Sequence, residues 1–149
     1  MAPTSTFEYV SPEWLEAVES IIVDLLKGHD LDSLDYCICE DLTNPPAGRA
    51  DTSTGTLSWF IRIRLGELHV GSGSVDDADI RITADYTTHH ELSRRVWADD
   101  PEAIAAARRH RQIAAADGRL RIDGDPSAAP LLVRELVARL HDPVAAITT

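Results

Sequence analysis

Two cysteines and six histidines supply the thiol and imidazole groups of this sequence that could bind a metal ion. Cys37 and Cys39 lie two residues apart in DYCICED, so on a strand they point the same way from consecutive pleats, about 6.5 Å apart along the chain. A disulfide there would be strained, so we expect two reduced thiols in the core or on a sheet face. His89 and His90 are adjacent, and on a helix they would point about 100° apart. Because no second cysteine pair or well-spaced histidine pair completes a site, a two-thiol metal site is the weaker alternative, and no cofactor is predicted.

Acid–base chemistry has only scattered candidates, namely Tyr36, Asp85, Tyr86 and His89. The sequence contains no G-x-S-x-G elbow, P-loop, G-x-G-x-x-G or H-E-x-x-H motif. The stretch GSGS at 71–74 precedes an acidic loop instead of a helix, which indicates a flexible turn. We therefore predict no catalytic residues, and an enzymatic or accessory role in bacterial secondary metabolism is an alternative function.

The charge balance bears on the partners that the protein can have. A formal net charge of -11 argues against nucleic acid, which needs clustered basic residues, and it repels anionic lipid headgroups. The basic run AARRHRQ is expected to form a solvated helix face, with a carboxylate or phosphate ligand on Arg108 or Arg111 as the alternative. No apolar run reaches the roughly 18 residues of a membrane span, and no secretory signal is recognisable, so we expect a cytoplasmic protein.

The predicted strands alternate apolar and polar residues. They cover about 34–42, 56–65, 68–70 and 79–85, and the short turns between them predict an antiparallel meander. A long hairpin loop, 43–55, separates the first two strands, and a fifth strand is expected over 119–123.

The predicted helices have recognisable starts. Ser11-Pro12-Glu13 opens an amphipathic helix that should stop at Gly28. The capping-box pattern THHE at 88–91 predicts a second helix to about residue 98, with Leu92, Val96 and Trp97 facing inward. An alanine-rich helix with a thin apolar side should run from 100 to about 118, and Asp125-Pro126 should open an apolar last helix.

The two faces of the predicted sheet differ in character. The face under the helices collects apolar residues, whereas the other collects arginines that pair with strand carboxylates or serve as a docking surface. A homodimer or an acidic partner could bind there through Arg62, Arg64, Arg81 and Arg121. The alternative is a solvated face on which these arginines pair with Asp35, Asp41, Asp123 or Glu67. The expected inner residues are Leu57, Trp59, Ile61, Ile63, Ile80, Ile82, Leu120 and Ile122.

These elements predict one α+β domain, a five-stranded, largely antiparallel sheet covered on one face by helices. A flexible N-terminus is expected over residues 1–10, with the single domain over 11–149. Arginines outnumber the single lysine thirteen to one, which is typical of a GC-rich, bacterial genome.

Two segments carry a resemblance to a known family. ADGRLRIDGD at 116–125 resembles the basic strand and Gly-Asp corner of sterol carrier protein 2 domains, and HVGSGSVDDADIRITAD at 69–85 is similar to their acidic loop and following strand. The resemblance implies a sterol-carrier-protein type of fold with a hydrophobic tunnel that binds fatty acyl chains, lipids or polyketide-like molecules without chemistry. The span 91–118 is longer than the family's usual segment. A protein-interaction domain without a ligand is a further alternative. The positions that the resemblance implies as tunnel lining are Trp59, Ile61, Ile63, Ile82, Trp97, Leu132, Leu136 and Leu140.

Overall fold

A computed structural model describes residues 5–149. The first helix, α1, covers Pro12–Leu25, where the predicted start is confirmed: the Ser11 hydroxyl accepts a hydrogen bond from the Trp14 amide at 3.1 Å. Gly28 follows the helix with a φ of 80°, a left-handed conformation that glycine adopts without strain. The helix buries Trp14, Val18 and Ile22 in the core.

Five strands form one mixed sheet: β1 Asp35–Thr43, β2 Leu57–Arg64, β3 Glu67–Ser72, β4 Ile80–Asp85 and β5 Leu120–Asp123. Their order across the sheet is β3-β2-β1-β4-β5, and every pair is antiparallel except β1 with β4. The predicted fold class is confirmed, since the sheet is mostly antiparallel and the helices complete an α+β domain.

The predicted meander is wrong at β4, which crosses over and pairs in parallel with β1. The reason lies on the outer face of the sheet, away from α1, where Cys37, Cys39 and Phe60 form a buried cluster. The connection 73–79 runs over that cluster, and its Val75 and Ala78 cover it. The two cysteines lie there as unbridged thiols. Covering this apolar patch carries the chain past β2 to the free edge of β1.

The remaining helices are α2 Tyr86–Ser93, α3 Pro101–Ala116 and α4 Leu131–Ile147, with a 3-10 turn over Pro126–Ala128. The predicted start of α2 at residue 88 is two residues late, because the Asp85 carboxylate caps the helix by accepting from the Thr88 amide at 3.2 Å. The helix also ends at Ser93 instead of near residue 98, which leaves Val96 half exposed rather than inward.

The start of α4 is also later than predicted. Asp125-Pro126 opens only the 3-10 turn, and Ala129 then takes an extended conformation with a ψ of 146°. The following Pro130 disfavours helical backbone at the residue before it, and Pro130 is itself extended with a ψ of 147°, so α4 begins at Leu131.

The N-terminal segment packs more closely than the predicted boundary at residue 11 implies. The Phe7 amide donates to the Ile147 carbonyl at 2.7 Å, and Tyr9 and Val10 are buried in the core. Residues 7–10 of the expected flexible segment thus pack against the domain, while residues 1–4 lie outside the described part of the chain. Within residues 5–149, no helix has both the length and the apolar character required to cross a bilayer.

Candidate ligand cavity

A cavity of about 770 Å³ lies between the inner face of the sheet and the helices. Its volume falls within the range of about 300 to 1,000 Å³ that is typical of small-molecule sites. It follows α4 from Val133 to Val144, a helix length of about 16 Å at 1.5 Å per residue. The larger apolar lining residues are Ile38, Trp59, Ile61, Ile80, Ile82, Leu120, Ile122, Val133, Val137, Leu140 and Val144.

The cavity exists because α3 places only small side chains against the sheet. Its buried residues are Ala107 and Ala114, and it packs mainly on β5, whereas α4 packs on α1 and α2. The inner face of the sheet between α3 and α4 is therefore left uncovered. The one residue that α3 contributes to the lining is Arg111. Ile122 and Val137, each 49% exposed, mark the open side of the cavity.

The residues expected to line a tunnel fall into two groups. Trp59, Ile61, Ile82, Trp97 and Leu140 line the cavity. Ile63 and Leu136 border an adjoining space of about 10 Å³, which is barely enough for one water molecule and shares its other lining residues with the cavity. Leu132 is half buried and packs against the main core. These three side chains instead belong to or pack against the core beside α1.

Glu40 is a lining residue that the sequence analysis missed. It lies on the central strand, paired in register with Trp59 on β2 and Ile82 on β4, so it faces inward from the middle of an otherwise apolar floor. Its Oε2 accepts a hydrogen bond from the Trp59 indole at 2.7 Å, and its Oε1 lies 3.3 Å from His89 Nε2. The signal was present in the alternation of β1, where Glu40 shares the inward register of Ile38 and Leu42.

The surroundings of Glu40 favour its ionised form. Burial by itself raises the pKa of Glu40, but the charge and hydrogen bond of His89, the Trp59 indole and the Arg111 charge outweigh it and lower the pKa below its ordinary value of 4.5. The cavity therefore has one charged group on its floor, partnered by an imidazole, an indole and a guanidinium.

Trp97 is held at the cavity wall by residues of α4 and α3. The Asp142 carboxylate accepts hydrogen bonds from the Trp97 and Ala98 amides at 2.8 and 2.9 Å. The His141 ring stacks on the indole with 3.4 Å between centroids, and the Arg111 guanidinium lies 5.5 Å from it. Ala98 and Asp99 both have positive φ, which ends any continuation of α2 and turns the chain toward α3.

Asp142→Ala should release Trp97 from this position. We expect a loss of about 1 to 2 kcal/mol in unfolding free energy, because two charge-assisted bonds to backbone amides disappear. Tryptophan emission should shift to longer wavelength, since Trp14 and Trp59 remain buried. Glu135→Ala, an exposed acid on the same helix, is the control. Equal stability and unchanged emission in both variants would contradict the proposed role of Asp142.

The four acid–base candidates do not converge. Tyr36 and His89 line the cavity, whereas Asp85 caps α2 and Tyr86, which does not line it, lies in tilted contact with the rings of Tyr9 and His90. His89 Nδ1 is enclosed and has no hydrogen-bond partner among residues 5–149. Within the described residues, Glu40 and His89 are the one carboxylate–imidazole pair in which both partners line the cavity; His141 also lines it, but its carboxylate neighbour Asp142, 4.0 Å away, does not.

The arginines of the outer face are paired within the chain. Arg62 and Arg64 both bind Asp77, and Arg64 also lies 3.2 Å from Asp35. Arg81 binds Asp41, and Arg121 lies 2.8 Å from Asp123. The arginines thus pair with carboxylates, as the alternative predicted, and the pairing gives no support to a dimer or an acidic partner on this face.

Comparisons with known proteins place the fold. No protein-family model matches the sequence, and no curated protein matches it. Among solved structures, a conserved hypothetical protein of Thermus thermophilus, described as possibly a sterol carrier protein, superposes with a TM-score of 0.50 at 16% identity, covering 99% of this chain and 95% of that one. A crystal structure of sterol carrier protein 2 gives 0.50 at 16%, covering 94% and 99%.

A third solved structure superposes over a similar length. The sterol carrier protein domain 2 of Helicoverpa armigera gives a TM-score of 0.50 at 14% identity, covering 97% of this chain and 95% of that domain. All three span nearly the whole chain, and their low identities support a conclusion about architecture alone. This protein has the sterol carrier protein 2 fold.

Proposed function

We propose that this protein binds a hydrophobic small molecule, such as a fatty acyl, lipid or polyketide-like compound, and carries it without chemical change. The observation that carries the proposal is the cavity of about 770 Å³ with a mostly aliphatic and aromatic lining. Trp59, Ile61, Ile82, Trp97 and Leu140 are proposed to contact the ligand. The similarity in fold to sterol carrier protein structures supports the same class of ligand.

The free energy available from such a cavity is sufficient for useful affinity. Each buried methylene contributes about 0.8 kcal/mol, so a chain of a dozen methylenes gives roughly 10 kcal/mol before costs. Lost translational freedom and ordering offset a large share of this gain. The polar cluster of Glu40, His89 and Arg111 favours an amphipathic ligand that has hydrogen-bonding atoms as well as an apolar part.

Uptake of a fluorescent fatty acid by the purified protein tests the proposal. We expect saturable binding with an increase in probe emission, and native mass spectrometry of protein from its own host should show a retained small molecule. If the folded protein binds no acyl or polyketide-like probe and carries no ligand, the carrier function is wrong, and an interaction domain without a ligand becomes the better description.

A catalytic role has one observation in its favour, the Glu40–His89 pair at the cavity. A carboxylate that orients an imidazole is a common arrangement for general acid–base catalysis. The enclosed Nδ1 of His89 weighs against it, because a base must reach the proton that it removes. Mass spectrometry of the bound molecule over time distinguishes the two, since a carrier returns its ligand unchanged.

A further inference from the structure

The carboxylate of Glu40 can accept more hydrogen bonds than the chain supplies. It offers about four lone-pair positions, and within residues 5–149 only the Trp59 indole and His89 donate to it. Because an ionised carboxylate only accepts, His89 Nε2 carries the proton in this contact. The Glu40 side chain lines the cavity and is 15% exposed, so its remaining lone pairs are reached from the cavity.

These free lone pairs restrict what can lie over Glu40. A purely apolar group would remove water from them without supplying a donor, which is unfavourable for an ionised group. A ligand carboxylate placed there would be repelled by the like charge. A hydroxyl, an amide N–H or an ammonium group supplies the missing donor.

The charge of the lining disfavours the cationic donor. Two arginines, Arg111 and Arg134, and one carboxylate, Glu40, line the cavity within residues 5–149, which leaves a formal charge of +1 before either lining histidine is counted. Burial opposes ionisation of Glu40, but the charges of His89 and Arg111 help to lower its pKa. The carboxylate is therefore already compensated in charge, and an ammonium group would gain little from it.

The residues around Glu40 separate the two neutral donors. Its register partners Trp59 and Ile82, and Ile38 on the same strand, bring an indole and two aliphatic side chains to the lining. The indole N–H already donates to Glu40. An amide would bring a carbonyl oxygen that these neighbours leave without a donor, whereas a hydroxyl adds no second polar group.

We propose that Glu40 is a recognition site for a hydroxyl group of the hydrophobic ligand. This inference rests on the proposed carrier function and narrows its ligand class to molecules that combine an apolar skeleton with an alcohol. The hydroxyl donates to the Glu40 carboxylate, and the carbon skeleton beside it contacts Ile38, Trp59 and Ile82. A simple fatty acid would bind with its carboxylate away from Glu40.

Isothermal titration calorimetry with matched probes tests this selectivity. Dihexyl ketone and methyl undecyl ketone are isomers, and each is compared with the secondary alcohol of the same carbon skeleton. For at least one skeleton the alcohol should bind about tenfold or more tightly than the ketone, because a hydrogen bond to a charged group contributes at least that factor. Dihexylamine, which is cationic at neutral pH, should bind more weakly than the alcohol derived from dihexyl ketone.

Glu40→Gln should reduce the preference for the alcohol to less than about threefold, because the amide can also donate to the ketone oxygen. A merely structural role of Glu40 would change the affinities for alcohol and ketone alike. Glu67→Gln removes the same charge at an exposed position outside the lining and should keep the wild-type preference. Circular dichroism confirms that each variant is folded.

Three results would overturn the hydroxyl site: equal binding of alcohol and ketone by the wild type for both skeletons, tighter binding of dihexylamine than of the alcohol, or an unchanged preference in Glu40→Gln. The wild-type comparison needs no variant, so it decides the question even if Glu40→Gln does not fold. Uptake of a fluorescent fatty acid is measured on the same protein. If the fatty acid binds without any preference for alcohols, the carrier function stands and the hydroxyl site is wrong, whereas binding of no probe at all would overturn both.

Discussion

Ala138→Trp should reduce the affinity for a fluorescent fatty acid about 100-fold. Ala138 lines the cavity on its exposed side, so an indole there can occupy ligand space without displacing core residues. Excluding three or four methylenes of the ligand at about 0.8 kcal/mol each accounts for a loss of this size. Titration of the probe under identical conditions for wild type and variant gives the measurement.

The matched control for this prediction is Ala146→Trp. Ala146 lies on the same helix and is also exposed, but it does not line the cavity. We expect wild-type affinity and stability in this variant. If Ala138→Trp binds the probe as tightly as Ala146→Trp does, the ligand site lies elsewhere.

Glu40→Ala should lower the free energy of unfolding by about 3 kcal/mol at neutral pH. Removing one member of a buried charged pair leaves the partner without compensation, which typically costs about 3 to 5 kcal/mol. Here the Trp59 indole and His89 Nε2 both lose their acceptor in a mostly apolar cavity. Urea denaturation gives the measurement, and Glu67→Ala on an exposed position of β3 is the control.

The same variant should alter the response to acid. The pKa of Glu40 is lower in the folded protein than its ordinary value of 4.5, so its contribution to stability is complete above that value and disappears as the pH falls through the folded pKa. Wild type should therefore lose stability more steeply below about pH 4.5 than Glu40→Ala does. Parallel acid profiles, or a variant as stable as wild type at pH 7, would mean that the pair stabilises nothing.

Local patterns predicted the elements better than their arrangement. The alternation of TLSWFIRIRL identified β2 and its inward residues Trp59, Ile61 and Ile63, because side-chain direction on a strand depends only on sequence parity. The crossover to β4 depended on an apolar cluster on the supposedly polar face, formed by Cys37, Cys39 and Phe60. Recognising that cluster requires knowing which strands are neighbours, and no single segment of the sequence contains this information.

The candidate site shows the same division. Apolar periodicity indicated an excess of hydrophobic residues on the sheet and on α4, but a filled core and a lined cavity use the same residue types. The difference depends on the bulk of α3, whose buried side is made of alanines such as Ala107 and Ala114. Glu40 could have been found by extending the inward register of Ile38 along β1. Its partner His89 could not, because it lies on a helix 49 residues further along the chain.

The parallel pairing of β1 with β4 also bears on how the protein folds. Ile38 and Ile80 are neighbours across 42 positions of the chain, whereas β1, β2 and β3 are linked as successive antiparallel neighbours. Long-range pairings form late because closing a long loop costs entropy before any contact is gained. A ligand that binds only after β1 and β4 have paired would therefore leave the folding rate nearly unchanged and chiefly slow unfolding. A bound ligand should thus lengthen the lifetime of the native state.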